Sequence, residues 1–132
     1  GMLQLQHIDG ALARRREIDT LYRTLLADVR GIRCVPLGGQ TVANHAYFAI
    51  LVDEDYPLDR DGLYRKLRDY DVYARRYFHP LISEFPMYRG LPSANRDNLP
   101  VATEAARKVL CLPIYPALTD DMVRRIVELI AR

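Results

Sequence analysis

Residues 73–88 bring together side chains that could hold an anionic ligand. The segment is YARRYFHPLISEFPMY, in which Tyr73, Arg75, Tyr77 and His79 occupy every second position. Alternate side chains of an extended strand lie on one face, so these four would point the same way. Arginine binds carboxylates and phosphates with a planar fork, and phenol rings supply a stacking surface with a hydroxyl. Such an array could bind an anionic, ring-bearing ligand such as a nucleotide sugar.

The same pattern also has a structural interpretation, and the pattern alone favours it. Arg75 and Arg76 could be solvated or paired with nearby acids, while the tyrosines pack against neighbouring side chains. His79 could be a general acid or a ligand contact. Lone histidines more often have a structural role, however, so both interpretations stay open at this point.

Other kinds of chemistry find little support in the sequence. No spacing of His, Cys, Asp and Glu predicts a metal site, and there is no phosphate-binding loop or nucleophile elbow. Lys66 and Lys108 are predicted to be ordinary surface lysines on charged helix faces, without a neighbour that would lower the pKa. Cys34 and Cys111 each lie in an apolar run, which predicts buried free thiols and a reducing cytoplasm.

Length and charge narrow the class of protein. The chain has 132 residues, enough for one domain with a hydrophobic core. Its formal net charge of +2 predicts neither a nucleic-acid partner nor an anionic membrane surface. No apolar stretch approaches the roughly 18–20 residues that a membrane span requires.

Hydrophobic periodicity predicts an α+β fold. We expect a long first helix over residues 3–29, with Gly31 as its stop and an apolar stripe that could pack on another chain. Further helices are predicted over 60–70, over 100–109 and after Thr119, with strands at 32–37, 45–52, 72–78 and 110–115 and a long loop over 80–98. The expected architecture is a small two-layer sandwich: a three- to four-stranded, mainly antiparallel sheet with helices on one side, preceded by the long N-terminal helix.

Two longer stretches resemble a known family. The segments ARRYFHPLISEFPMYRGLP (74–92) and NLPVATEAARKVLCLPIYPALTDDMVRRIVELI (98–130) resemble the carboxy-terminal part of the DegT-type sugar aminotransferases. These are pyridoxal-phosphate-dependent enzymes of fold type I that aminate keto-sugars attached to nucleotides. The start, GMLQLQHIDGALARRREIDTLYRTL, resembles the helix that joins the large and small domains of that family.

The resemblance implies a domain organisation without cofactor chemistry. Residues 1–30 would be the linking helix and residues 31–132 the small carboxy-terminal domain. In the family, the large domain carries the lysine, the acid and the phosphate-binding groups that hold pyridoxal phosphate. We therefore expect a fragment with no catalytic and no cofactor-binding residue, which binds no cofactor alone and is inactive alone.

The resemblance also implies where a substrate would lie. The family segment that corresponds to residues 75–82 approaches the sugar-nucleotide pocket, so Arg75, Tyr77 and His79 are the predicted substrate-binding residues. Many members have a His-Tyr pair where this chain has Tyr77 and Phe78. The expected function is a part of the substrate pocket and of the dimer interface of a nucleotide-sugar aminotransferase. The alternatives are a separate module that binds nucleotide sugars without catalysis, or an oligomerisation module that pairs through the N-terminal helix.

Overall fold

The structure is a computed structural model that describes residues 7–36, 38, 43–77 and 79–132. In these ranges the strands β1 (Ile32–Cys34), β2 (Phe48–Val52) and β3 (Val109–Leu112) form an antiparallel sheet in the order β1-β2-β3. In the register, Ile32 is opposite Val52 and Phe48 is opposite Leu112. The helices are α1 (Ile8–Leu26), α2 (Arg60–Asp69), α3 (Pro100–Lys108) and α4 (Asp120–Ala131). The predicted α+β architecture is confirmed.

The core lies between one face of the sheet and three of the helices. Alternate residues of β2 are buried on this face, as expected for a strand covered by helices. Tyr22 of α1 stacks on Phe48 with ring centroids 4.7 Å apart, and its hydroxyl donates to the Pro113 carbonyl at 3.1 Å. Helices α2 and α4 complete the core, and their buried apolar residues are Leu63, Leu67, Val123, Ile126, Val127, Leu129 and Ile130.

Two helices begin at the residues that the sequence predicts. The Asp59 carboxylate accepts a hydrogen bond from the Gly62 amide at 2.6 Å, and the Thr119 hydroxyl accepts one from the Met122 amide at 3.3 Å. Both satisfy amides that the helix itself leaves without an acceptor. Met122, in the first turn of α4, lies outside the core and is 52% exposed.

The first helix is shorter than the sequence predicts. It ends at Leu26 rather than near residue 29, and residues 1–6 of the expected helix lie outside the described residues. Gly31 forms a separate turn after the helix with φ of 77°. Its carbonyl accepts a hydrogen bond from the Asp53 amide at 2.8 Å, so this turn leads directly into the sheet.

The predicted strand over residues 72–78 is wrong. In its place, one bridge joins Arg75 to Cys111 at the outer edge of β3, with amide-to-carbonyl distances of 2.9 and 2.8 Å. The Ala74 amide donates to the Val72 carbonyl in a tight local turn, which interrupts the two-residue alternation of a strand. Phe78 lies outside the described residues. The predicted loop over 80–98 contains the short 3₁₀ helices Ile82–Glu84, Pro92–Ala94 and Arg96–Asn98.

No helix in the described ranges is both long enough and apolar enough to cross a membrane.

Candidate functional site

A cavity of about 610 Å³ lies beside the outer edge of β3. One side is formed by residues 70–75, and another by the chain that leaves β3 and enters α4. Four tyrosines and two arginines contribute to its lining: Tyr47, Tyr70, Tyr73, Tyr115, Arg75 and Arg125. We call it the tyrosine cavity. Its size is within the range of cavities that bind small molecules.

The tyrosine rings of this cavity are open to solvent. The four residues are between 44% and 63% exposed, although each has a large apolar ring. A cluster of exposed aromatic rings is unusual on the surface of a monomeric protein and indicates a surface that binds something. The Arg68 guanidinium lies over the Tyr73 ring at 5.3 Å and restricts its position through a cation–π contact.

Of the three predicted site residues, Arg75 lines this cavity, Tyr77 contacts the lining residue Tyr47, and His79 does neither. Arg75 is exposed and lines it, and its backbone is fixed by the bridge to Cys111. Tyr77 is half-buried and contacts the Tyr47 ring edge-on, with centroids 5.2 Å apart. His79 is exposed and is not among the lining residues; a cis peptide bond joins it to Pro80.

Arg76 has a different environment from its neighbour Arg75. Its guanidinium lies 3.5 Å from the Asp61 carboxylate and 4.8 Å from the centre of the Tyr64 ring. The expectation of a locally paired arginine therefore fits Arg76, whereas Arg75 lines the cavity. Substituting Arg75 and Arg76 separately therefore compares an arginine that lines the cavity with one that is paired elsewhere.

Sequence reasoning missed several lining residues. Tyr47 precedes an apolar strand, and Tyr115 stands between two prolines, so neither lies in a motif that predicts a site. Arg125 follows Met122 by three residues on α4, and both side chains line the cavity. That helical spacing is the signal that could have identified Arg125.

Cys111 lies at the inner edge of the cavity but is a poor nucleophile. Burial raises the pKa of its thiol to about 11, against a smaller lowering effect of Arg75. At neutral pH the reactive thiolate is therefore scarce. Both cysteines are free thiols, as predicted, with Cys111 buried and Cys34 half-buried.

The lysines of this chain do not fit the demands of pyridoxal phosphate. The Lys108 ammonium lies 2.6 Å from Glu104 and 3.7 Å from Asp53, and the hydrogen bond to Glu104 raises its pKa. A lysine that forms a Schiff base needs a lowered pKa instead. Lys66 lines neither the tyrosine cavity nor a second cavity of about 400 Å³ around Asp53 and Arg60.

No metal centre is evident either. Within the described ranges, no three His, Cys, Asp or Glu side chains are grouped as a metal ion would require.

Comparison with known proteins decides the family. The model of the DegT/DnrJ/EryC1/StrS aminotransferase family matches residues 1–131. The chain belongs to this family. Over 130 residues it is 47% identical to a dTDP-4-amino-4,6-dideoxy-D-glucose transaminase of Escherichia coli, and over 131 residues 30% identical to a GDP-perosamine synthase of Vibrio cholerae. These matches cover 98% and 96% of this chain.

The family match is partial in length. The chain spans 35% of the E. coli protein and 33% of the V. cholerae protein. Among solved structures, DesI in the presence of its TDP-sugar product is similar with a TM-score of 0.84 and 29% identity. That match covers 99% of this chain and 33% of DesI. The family resemblance is confirmed, and the chain corresponds to about a third of these aminotransferases.

Proposed function

We propose that this chain is the small carboxy-terminal domain of a nucleotide-sugar aminotransferase, with residues 1–30 as the linking helix and residues 31–132 as the domain. It supplies substrate-side groups and does not supply the lysine that holds the cofactor. The observation that carries this proposal is the tyrosine cavity, open to solvent, in a chain that is 47% identical to part of a dTDP-amino-sugar transaminase. Pyridoxal phosphate, bound elsewhere in the assembled enzyme, carries the amino group.

Each predicted site residue has a defined role in this proposal. Arg75 pairs with a phosphate of the nucleotide, because a guanidinium fork matches phosphate oxygens. Tyr77, packed against Tyr47, forms an aromatic surface for a sugar or base ring. His79 lies on the chain that continues from the cavity, and we assign it to the substrate side on the family resemblance.

The proposal extends to partners and location. The partner is a nucleotide-linked sugar, and the assembly is a homo-oligomer in the cytoplasm. Much of the apolar stripe of α1 is covered by this chain's own core, since Ile18, Tyr22 and Leu26 are buried. The first turn of α1 remains available for pairing with a second copy, because Ile8 is 41% exposed there.

A chimera tests the substrate role. This chain replaces the matching 130 residues of the E. coli transaminase, and formation or use of dTDP-4-amino-4,6-dideoxy-D-glucose is measured. We expect transamination. Arg75→Ala in the chimera should raise the KM for the nucleotide sugar by about tenfold or more, since a hydrogen bond to a charged group contributes roughly 1.5–3 kcal/mol.

Arg76→Ala is the matched control for this experiment. It removes the neighbouring guanidinium, which pairs with Asp61 and lies away from the cavity, so the KM should stay within about twofold of the parent chimera. Equal KM values for the Arg75→Ala and Arg76→Ala chimeras would rule out the role proposed for Arg75.

A second candidate function is a separate module that binds nucleotide sugars without catalysis. The cavity favours it, because a volume of about 610 Å³ is within the range of cavities that bind small molecules. Thermal unfolding of the chain with thymidine and uridine diphosphate sugars tests this candidate. A ligand at 100 times its Kd should stabilise the fold by about 2.7 kcal/mol. An unchanged midpoint across the panel excludes the binding module and leaves the aminotransferase proposal intact.

A further inference from the structure

A buried ionic cluster lies between α1 and the ends of the β1–β2 connection. Asp19 is 2% exposed and His45 is 7% exposed. The Asp19 Oδ1 atom accepts a hydrogen bond from the Arg23 Nε–H at 2.6 Å. The second carboxylate oxygen, Oδ2, faces His45 Nδ1 at 3.4 Å. A charge buried this deeply is costly unless it has partners, and Arg23 and His45 are the partners of the Asp19 carboxylate.

Asp19 and Arg23 hold both ends of the β1–β2 connection. The Arg23 guanidinium donates to the Val35 carbonyl at 3.0 Å, just after β1. It also lies 5.4 Å from the centre of the Phe48 ring, at the start of β2. Asp19 approaches the same connection at His45, three residues before β2. Asp19 and Arg23, one turn apart on α1, therefore contact both the end of β1 and the segment that leads into β2.

His45 adopts a backbone conformation that needs support. Its φ of 47° lies in the left-handed region, which is uncommon for residues other than glycine. Such a conformation persists where the surrounding structure enforces it, often at functional sites. In the described part of the chain, His45 Nδ1 and Asp19 Oδ2 have no hydrogen-bond partner that meets the usual geometry. The contact between these two atoms is therefore the ion-pair distance of 3.4 Å and not a hydrogen bond.

The path from His45 to the cavity is two residues long. The Asn44 side chain accepts a hydrogen bond from the Ala46 amide at 3.0 Å, which makes a tight turn around His45. The next residue is Tyr47, which lines the cavity and meets the Tyr77 ring at an interplanar angle of 66°. The backbone that His45 bends therefore leads within two residues to the Tyr47 ring.

We propose that Asp19 and His45 are positioning residues that hold Tyr47 against Tyr77 and so shape the tyrosine cavity. Through this buried pair, Asp19 on α1 holds the segment that carries Tyr47 into the cavity lining. The proposed positioning of the Tyr47 ring does not depend on which ligand the cavity binds. Its consequence for a nucleotide-sugar ligand rests on the proposed function.

Ring-to-ring nuclear Overhauser effects test this proposal without any ligand. With labelled tyrosine, the wild-type chain should show an effect between the Tyr47 and Tyr77 rings. Asp19→Asn removes the carboxylate charge that Arg23 and His45 share and keeps the side-chain shape, so this effect should be lost while the circular dichroism of the fold is retained. Asp120→Asn is the matched control: it removes another aspartate paired with an α1 arginine, Arg14 at 2.7 Å, and should preserve the effect.

A second variant decides the matter if Asp19→Asn does not fold. His45→Gly removes the imidazole at a position whose positive φ suits glycine, so the backbone is not strained. Loss of the ring-to-ring effect in this variant supports the proposal. A wild-type effect in folded Asp19→Asn, or in His45→Gly where Asp19→Asn does not fold, overturns it. Because no ligand is added, either result is independent of whether the chain binds a nucleotide sugar.

Discussion

At the scale of single residues, the two cysteines differ in their surroundings more than in their sequence context. Cys111 is 4% exposed and burial raises its pKa to about 11, whereas Cys34 is half-buried and Arg23 partly offsets the effect of burial on its pKa. We expect iodoacetamide at pH 8 to modify Cys34 at least about tenfold faster than Cys111, since the thiolate is the reactive form. Mass spectrometry of the digested protein measures both rates, and equal rates would contradict the burial of Cys111.

A pH-dependent ion pair is centred on Asp53. Two hydrogen bonds from Arg33, at 3.0 and 3.2 Å, lower the pKa of this carboxyl below its ordinary value of 3.8, against the opposing effect of burial. A lowered pKa in the fold means that the charged form stabilises the protein above pH 3.8 and that this stabilisation is lost as pH falls. We expect Asp53→Asn to lower the free energy of unfolding at pH 7 by about 0.5–1 kcal/mol.

Urea unfolding at several pH values measures this effect. The difference between wild type and Asp53→Asn should shrink as the pH falls from 3.8 through the lowered pKa of the folded carboxyl, because the Asp53 side chain is then neutral in the folded and in the unfolded protein. Asp55→Asn is the control, since Asp55 is highly exposed and its one ion pair in the described ranges is with Arg30 at 3.6 Å. A difference for Asp53→Asn that is constant with pH would show that charge is not its cause.

Individual site residues could be predicted only in part. Arg75 could be predicted because its type and spacing suggest anion binding, and it does line the cavity. The sequence does not distinguish it from Arg76, however, because the local turn at Ala74 and the position of Asp61 decide which guanidinium is paired. Tyr47 and Tyr115 come to the cavity through tertiary packing, for which a single sequence carries no signal.

At the scale of elements, the turn at Gly31 joins α1 to the sheet. A Cβ atom built at Gly31 would lie 2.2 Å from the Tyr56 amide nitrogen, and φ is 77°. Gly31→Ala combines a backbone clash with a disfavoured conformation, so we expect it to lower the free energy of unfolding by more than about 2 kcal/mol. Chemical denaturation monitored by circular dichroism measures the change.

Gly10→Ala is the matched control for this prediction. Gly10 lies in α1 with no atom within 4 Å of the added Cβ, so the substitution should stabilise the protein by about 0.5–1 kcal/mol through helix propensity. If both glycine variants changed the free energy of unfolding in the same direction, the claim that the Gly31 turn requires glycine would be wrong.

Elements with strong local signals could be predicted well. Capping residues and apolar periodicity identify α2 and α4, because Asp59 and Thr119 satisfy amides at the first turn. The strand predicted at 72–78 fails because alternation of residue types was its sole basis. The turn at Val72–Ala74 and the single bridge at Arg75 depend on contacts with β3, which are distant in sequence.

At the scale of the whole molecule, the chain has a core of its own and an open aromatic cavity. Residues from α1, α2, α4 and the sheet enclose the core, while the tyrosine rings remain exposed at the edge of β3. The chain corresponds to about a third of the length of its relatives. In the proposed function, this cavity is one side of a substrate pocket that other parts of an aminotransferase complete.

The central claim is that this chain contributes to substrate binding and does not carry the cofactor lysine. Its most direct test is the rate of amino-sugar formation by the chimera with the E. coli transaminase, measured with and without the double substitution Lys66→Gln and Lys108→Gln. We predict equal kcat values, because the Lys108 ammonium is engaged by Glu104 and Lys66 lines neither cavity. A folded, cofactor-loaded chimera that loses transamination when these lysines are replaced would contradict the claim.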